Sequence, residues 1–273
     1  MGLRVNSNTA SINAQRNLSN TTNSLQRSLQ RLSSGLRITR ASDDAAGLAI
    51  SENFRADVRS LTQAQRNAND GISLLQIAEG ALNEVSGLLI RQRELAIQAA
   101  NGTLGQEERD TINNEVQDLI AEIDRISSVT QFNGTQVLNT TAATTFQIGV
   151  DNSANDRISV SGVSAAAAAI GVGSVTVSTV TNARSALSAI DSAISTVASL
   201  RASFGTVQNR LESAIRSIAV AVENTAAAES RIRDVDFASE TAELTRNQVL
   251  QQAGISVLAQ ANVSTQSALQ LLQ

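Results

Sequence analysis

The chain has 273 residues and a formal net charge of -4, all of its 21 basic residues are arginine, and it contains no Cys, His, Pro, Trp or Tyr. These absences exclude a Ser-His-Asp triad, a thiolate nucleophile, a lysine Schiff base and zinc ligation by imidazole or thiolate, so we expect neither a metal nor another cofactor. Scattered arginines and few aromatic residues argue against a nucleic-acid partner, and no apolar run of about 18 residues is present that would span a membrane.

The first predicted helix carries a stripe of leucines and is followed by a polar passage. The leucines are spaced three, four or seven residues apart, at Leu18, Leu25, Leu29 and Leu32. The stretch RLSSGLRITRASDDAAGLAISE, residues 31–52, then combines arginines with Asp43 and Asp44. Because no apolar pocket is predicted that would separate the pKa values of these two acids, we expect no catalytic pair and no enzyme.

Two further helices are predicted to run antiparallel to each other. One begins near Asp43, ends before the turn signal Asn101-Gly102, and has its apolar stripe at Ile72, Leu75, Leu82, Val85 and Leu89. The next has its stripe at Ile112, Val116, Leu119, Ile123 and Ile126. Residues 101–105 reverse the chain between them, and Asn133-Gly134 is predicted to end the second of the two.

A small β-hairpin is predicted near residues 144–161. Phe146, Ile148 and Val150 alternate with polar residues, and the alternation resumes at Ile158 and Val160 after a turn. The Ser/Gly/Ala-rich residues 162–181 that follow are predicted to form a short exposed insert at the tip of the molecule.

A long return helix is predicted from about residue 182 to 229. Its apolar residues alternate three and four apart in the manner of a coiled coil, at Leu187, Ile190, Ile194, Val197, Phe204, Leu211, Ile215, Ile218 and Val222. A helix of this length would extend about 70 Å. The fold class expected is mainly α: an elongated helical coiled-coil bundle of three helices with a small hairpin.

The last predicted helix carries leucines but no charge after Arg246. Its stripe consists of Leu244, Leu250, Val257, Leu258, Leu269, Leu271 and Leu272. A surface helix normally presents charged residues to water, so a neutral polar helix predicts that, after assembly, its faces contact protein or a confined aqueous space.

Several long blocks resemble bacterial flagellin. RLSSGLRITRASDDAAGLAIS and LTQAQRNANDGISLLQIAEGALNEV resemble the amino-terminal signature of that family, and TQFNGTQVLN resembles the segment that enters its hairpin. AAESRIRDVDFASETAELTRNQVLQQAGISVLAQAN resembles the carboxy-terminal signature. The family often carries outer domains after the hairpin, whereas here about forty residues fill that place, which indicates a minimal form with core domains only.

The resemblance implies two domains joined by polar connectors. Residues 1–44 and 232–273 would form the inner coiled-coil domain of a filament, where the termini pair, and residues 45–231 the outer rod domain. Ser33 to Asp44 would be the outgoing connector and Ile232 to Ser239 the returning one. Ion pairs between the connectors, or between neighbouring subunits, are expected among Arg37, Arg40, Asp43, Asp44, Arg231, Arg233, Asp234 and Asp236.

The resemblance also implies function. The chain would be exported unfolded through the flagellar type III system without a cleaved signal peptide, and would assemble at the distal end of an extracellular filament. Its partners would be further copies of itself, an export chaperone at the C-terminal helix, and the filament cap and hook-associated proteins. The leucine-striped ends would be ordered by neighbouring copies. A hook-filament junction protein with the same terminal architecture is the alternative.

One receptor site is implied as well. GALNEVSGLLIRQRELAIQAAN, residues 80–101, resembles the segment that Toll-like receptor 5 recognises in many flagellins. The matching positions are Arg91, Leu95 and, on the neighbouring helix, Glu115, and packing between subunits is expected as their primary role. Because Arg91 and Leu95 are four residues apart, they are expected to share a helix face. Gln92 stands where the family commonly has an apolar residue.

Overall fold

A computed structural model of the protein describes residues 8–270, with side chains described up to residue 263. Most of this part is helical, which confirms the predicted mainly α fold. The helices are α1 Thr9–Ser34, α2 Ala45–Ala99, α3 Gln106–Val129, α4 Val180–Arg233 and α5 Phe237–Gln270. The strands are β1 Gln131–Phe132, β2 Thr135–Gln136, β3 Thr144–Gln147 and β4 Arg157–Val160.

The chain divides into two compact units. The bundle unit contains residues 57–223, and the terminal unit contains residues 1–56 together with 224–273. Both divisions lie inside helices, one in α2 and one in α4. The domain division expected from the sequence lies instead beside the connectors, after residues 44 and 231.

The core of the bundle unit is built from the predicted stripes of α2, α3 and α4. Leu75, Leu82, Val85 and Leu89 of α2 are fully buried in one cluster with Val116 and Ile123 of α3 and with Ile190, Phe204 and Leu211 of α4. Leu119, Ile126, Leu187, Ile194 and Ile215 pack against this cluster and are partly buried. The three- and four-residue spacing therefore located the buried face of each helix.

The bundle unit contains two small antiparallel hairpins, one of which was not predicted. In the predicted hairpin, β3 pairs with β4 so that Phe146 lies opposite Ile158. The other joins β1 and β2 through Asn133 and Gly134, whose φ angles are 48° and 79°. Two consecutive positive φ angles define the type I′ turn for which Asn-Gly is the favoured sequence, so this dipeptide does more than end α3.

The segment between β4 and α4 contradicts its predicted exposure. Seven of its apolar side chains are buried in the core, at Val163, Ala165, Ala167, Ile170, Val172, Val175 and Val177. Its backbone is bound by polar side chains of α3: Asp124 accepts from the Ala167 N–H at 2.8 Å, and Gln117 donates to the Val175 carbonyl at 2.8 Å. Asn113 accepts from the Val177 N–H at 2.9 Å. Because these contacts satisfy backbone polar groups, an irregular segment can be buried here.

The terminal unit pairs α1 with α5 in antiparallel orientation. The Asn8 side-chain amide donates to the Ala261 carbonyl at 2.9 Å near the start of α1, and Arg31 lies 3.7 Å from Glu240 near its end. Little of the described part of the pair is buried: up to residue 263, the buried side chains on the two helices are those of Ala14, Ser28 and Asn247. Two helices alone therefore leave much of their surface open to contact with other protein.

Candidate functional site: the terminal helices, the connectors and the Arg91 patch

The two connectors are joined through their backbones. Gly35 caps the C-terminal end of α1, where it has a φ of 72° and donates its N–H to the Arg31 carbonyl. An isolated antiparallel β-bridge then links Leu36 to Asp234. Within it, the Arg37 N–H donates to the Arg233 carbonyl at 2.6 Å and the Val235 N–H donates to the Gly35 carbonyl at 3.0 Å. The sequence indicated two polar connectors but gave no signal for this bridge, because backbone groups are common to every residue.

The carboxylates of the connectors hold turns and helix starts. One Asp43 oxygen accepts from the Thr39 N–H, the Thr39 hydroxyl and the Arg40 N–H at 3.0 to 3.2 Å. Desolvation raises the pKa of Asp43, but these hydrogen bonds and the charge of Arg31 outweigh it, so the pKa lies below its ordinary value. Asp44 accepts from the Gly47 N–H at 2.8 Å at the start of α2.

The ion pairs predicted between the connectors are not formed within this chain. The Arg37 guanidinium donates to the Ile232 carbonyl, and Arg40 donates to the Gln30 amide oxygen at 2.9 Å. Arg233 pairs instead with Glu52 of α2 at 2.7 Å. Within the described range, no two of the eight predicted connector residues form a salt bridge, since the carboxylates of Asp43, Asp44 and Asp236 accept backbone N–H groups. Pairing across neighbouring subunits stays a prediction.

The terminal helices expose a large set of apolar side chains, here called the terminal apolar surface. At about half exposure or more, it consists of Ile12 and Leu29 on α1 and Phe237, Val249, Leu250, Ile255, Val257 and Val263 on α5. Soluble monomers rarely expose so many large apolar residues on two neighbouring helices, and such surfaces mark sites of protein contact.

The predicted leucine stripes are only partly within this surface. Leu29, Leu250 and Val257 belong to it, whereas Leu18, Leu25, Leu32, Leu244 and Leu258 are half-buried. Leu271 and Leu272 lie outside the described residues, as does the side chain of Leu269. Reasoning from leucine spacing missed Ile12 of α1 and Phe237, Val249, Ile255 and Val263 of α5. A count of all apolar residues around α5 would have found the four on that helix, because its apolar residues are spread around all sides.

Arg91, one of the three receptor residues implied by the resemblance, is exposed on the bundle unit. Together with Glu94 and Glu115 it forms what is here called the Arg91 patch. Its guanidinium donates to Glu115 of α3 at 2.9 and 3.1 Å and to Glu94 at 3.1 Å. The hydrogen bond to Glu115, followed by that to Glu94, raises the pKa of Arg91 above its ordinary value. Glu115 therefore lies beside Arg91 across the antiparallel helices, as predicted.

The prediction that Leu95 shares an exposed helix face with Arg91 is wrong. Its side chain is 2% exposed and belongs to the core of the bundle unit. Four residues along an α-helix rotate a side chain by about 40°, and here that rotation crosses the border between solvent and core. Ile90 and Ile97 are also exposed on α2, but they lie about 100° to 120° around the helix from Arg91.

Among the described residues, no cluster of acidic side chains could hold a metal ion, and no helix is apolar and long enough to cross a membrane. A cleft of about 420 Å³ lies between α2 and the β3–β4 turn and is lined mainly by Ser, Gln, Asn and Gly residues.

Comparisons with known proteins agree along nearly the whole chain. Residues 5–143 match the bacterial flagellin N-terminal helical region, and residues 187–272 match the bacterial flagellin C-terminal helical region. Flagellin of Halalkalibacterium halodurans is 46% identical over 270 residues, with 98% of this chain and 99% of that protein covered. The flagellar filament 33 kDa core protein of Treponema phagedenis is 45% identical over 286 residues, with 98% and 99% covered. The crystal structure of Bacillus cereus flagellin superposes with a TM-score of 0.51 at 31% identity, covering 56% of this chain and 88% of that one.

Proposed function

The chain belongs to the bacterial flagellin family, and on this premise we propose that it is a structural subunit that polymerises into a flagellar filament outside the cell and serves swimming motility. It is a structural protein and not an enzyme. Both family regions are present in order, and relatives are matched over almost their full length.

The observation that carries this proposal is the terminal apolar surface. α1 and α5 pair with each other but leave Leu29, Val249 and Ile255 about half exposed. Burial of such side chains is worth about 25 cal/mol per Å² of apolar area, so contact with the same surface of other copies would stabilise both helices. Folding of the terminal unit is thereby coupled to assembly.

Electron microscopy of the purified protein tests the proposal directly. Full-length monomer, obtained by depolymerisation and returned to assembly conditions, is expected to form long filaments without any other protein. Short aggregates or persistent monomer would contradict the proposal. The same result separates the filament subunit from the alternative, a hook-filament junction protein, which is expected not to grow into long filaments alone.

We infer the route to the filament from family membership. The chain is exported unfolded through the flagellar type III system, with a chaperone covering α5, and adds beneath the cap at the distal end of a filament joined to hook-associated proteins. The exposed apolar residues of α5, among them Val249 and Val257, support this inference, because a helix of this kind requires cover before assembly. Loss of the protein from the medium of cells that lack the export apparatus is the expected result.

We also propose that Toll-like receptor 5 recognises the monomer at the Arg91 patch. Arg91 and Glu115 are about half exposed in the bundle unit. Arginine is enriched among the interface residues that dominate binding energy. In this proposal Leu95 supports the patch from the core and does not touch the receptor.

A further inference from the structure

Three arginines line one cleft at the end of α1. Arg27 and Arg31 project from the helix, and Arg40 comes from the outgoing connector. The cleft encloses about 210 Å³, and its other lining residues are Gln30, Thr39, Ser42 and Asp43. Three positive charges therefore meet one negative charge in a small space.

The acids near this cleft are already engaged. One oxygen of Asp43 accepts three hydrogen bonds from Thr39 and Arg40, which fold the connector. Glu240 lies 3.7 Å from Arg31, and its side chain is only 12% exposed. Neighbouring guanidinium groups repel each other, so the arrangement has a free-energy cost that an added anionic group would relieve.

The cleft is held in shape by hydrogen bonds between α1 and the connector. Arg40 donates to the Gln30 amide oxygen at 2.9 Å, and the Gln30 amide donates to the Thr39 hydroxyl at 3.3 Å. Arg27 donates to the Ser24 hydroxyl at 3.2 Å. A binding group that is fixed in advance loses less conformational entropy when its partner arrives.

The distribution of charge in the chain indicates where the anion comes from. The terminal unit contains ten arginines and eight acidic residues, whereas the bundle unit contains eleven arginines and seventeen acidic residues. The first 42 residues contain six arginines and no acid. Copies of one chain that pack together can therefore place a basic terminal unit against an acidic bundle unit of a neighbour.

We propose that the cleft of Arg27, Arg31 and Arg40 binds an acidic side chain from the bundle unit of a second copy of this chain. The proposal rests on the proposed filament function and adds to it a polar contact that fixes how neighbouring copies meet. Apolar contacts of the terminal helices supply most of the affinity, but they are not directional and do not fix one arrangement. The arginine cleft selects one arrangement among those that bury the same apolar area.

The test measures the critical concentration for assembly of the full-length protein by sedimentation, at low and at high sodium chloride. Arg27→Gln/Arg40→Gln is expected to raise the critical concentration about tenfold at low salt, since two exposed ion pairs contribute up to about 1 kcal/mol each. The salt dependence of assembly should also become weaker than in the unmodified protein, because the lost contacts are screened by salt. The thermal midpoint of the monomer should not change.

The matched control is Arg16→Gln/Arg55→Gln, which removes two positive charges from the same unit without touching the cleft. It should assemble with the critical concentration of the unmodified protein. Equal shifts in both double variants, or no shift in either, would overturn the proposal.

A second measurement separates the neighbouring copy from a free anion. Monomer is titrated with inorganic phosphate at constant ionic strength, and no saturable binding below millimolar concentration is expected. Saturable binding that Arg27→Gln/Arg40→Gln abolishes would overturn the second copy as occupant. If the unmodified protein forms no filaments, the proposed function itself is contradicted and this inference falls with it; filaments that do not depend on the cleft contradict the inference alone.

Discussion

Gln92 of α2 is fully buried, and neither its amide nitrogen nor its amide oxygen has a hydrogen-bond partner. A buried polar group without partners costs about 1 to 3 kcal/mol. Gln92→Leu, which keeps a similar volume, is therefore expected to raise the free energy of unfolding by about that amount. In thermal unfolding followed by circular dichroism, the midpoint should rise by several degrees. Gln98→Leu, at an exposed site of the same helix, should have no such effect; an unchanged midpoint in both would contradict the predicted cost.

Gly162 lies where a side chain has no room. A β-carbon at this position would be 2.3 Å from the carbonyl carbon of Thr141, which is a backbone atom and cannot move aside cheaply. Gly162→Ala should therefore destabilise the bundle unit by about 1 to 3 kcal/mol, measured by urea denaturation.

Gly80 supplies the opposite control, because a β-carbon there would meet nothing within 4 Å inside helix α2. Gly80→Ala should stabilise by about 0.5 to 1 kcal/mol, since alanine loses less backbone entropy on folding than glycine. Destabilisation by both substitutions would contradict this explanation.

The heptad stripe of α4 gives a prediction about an element. Leu211 is fully buried, and Ser213, two residues on, is exposed on the other side of the helix. Leu211→Ala should lower the free energy of unfolding by about 2 to 5 kcal/mol through lost burial and the cavity that remains. Ser213→Ala should leave the melting temperature almost unchanged. Equal shifts, measured by calorimetry, would show that this stripe does not carry the packing of α4.

Elements whose contacts repeat along the chain could be predicted from the sequence. The stripes of α2, α3 and α4 were located because a buried apolar residue recurs at each turn of the helix. The β1–β2 hairpin was missed although Asn133-Gly134 is its usual turn, because strands of two residues carry no alternation.

Contacts that depend on one position, or on the backbone, could not be predicted in the same way. The bridge between Leu36 and Asp234 joins backbone peptide groups, and no residue type predicts such a bridge. Leu95 was placed on the exposed face because a four-residue spacing was treated as no rotation, whereas 40° is enough to bury a side chain at the edge of a stripe. The segment after β4 was predicted to be exposed from composition alone, although α3 binds its backbone.

Truncation of either end of the chain should prevent assembly and leave the bundle unit folded. Removal of the residues before about Asn20 deletes Ile12 of the terminal apolar surface, and removal of those after about Leu250 deletes Ile255 and Val257. The bundle unit has its own core and should stay helical by circular dichroism. Both truncated chains should remain monomeric in sedimentation under conditions where the full chain forms filaments. Normal filaments from either would contradict the role given to the ends.

Receptor recognition should depend on the state of assembly. In the proposed filament, neighbouring subunits would cover the Arg91 patch and compete with a receptor that binds it, so monomer should activate Toll-like receptor 5 more strongly than filament at matched concentration. Arg91→Ala should weaken activation by the monomer without changing its helicity, because Arg91 contacts Glu94 and Glu115 at the surface. Equal signalling by monomer and filament would show that the patch is not covered on assembly. A silent monomer would show that the patch is not a receptor site in this protein.

The way in which α3 holds the segment after β4 has a consequence for how this chain can diversify. Asn113, Gln117 and Asp124 bind peptide groups of that segment and make few demands on its side chains. Between the bound positions, the side chains of Ala168 and Ser174 are exposed. Substitutions at these two positions leave the bound backbone and the buried apolar residues unchanged, so the outer sequence there can vary while the packing beneath it stays the same. Variation of the outer surface and preservation of the core therefore involve different atoms of one short segment.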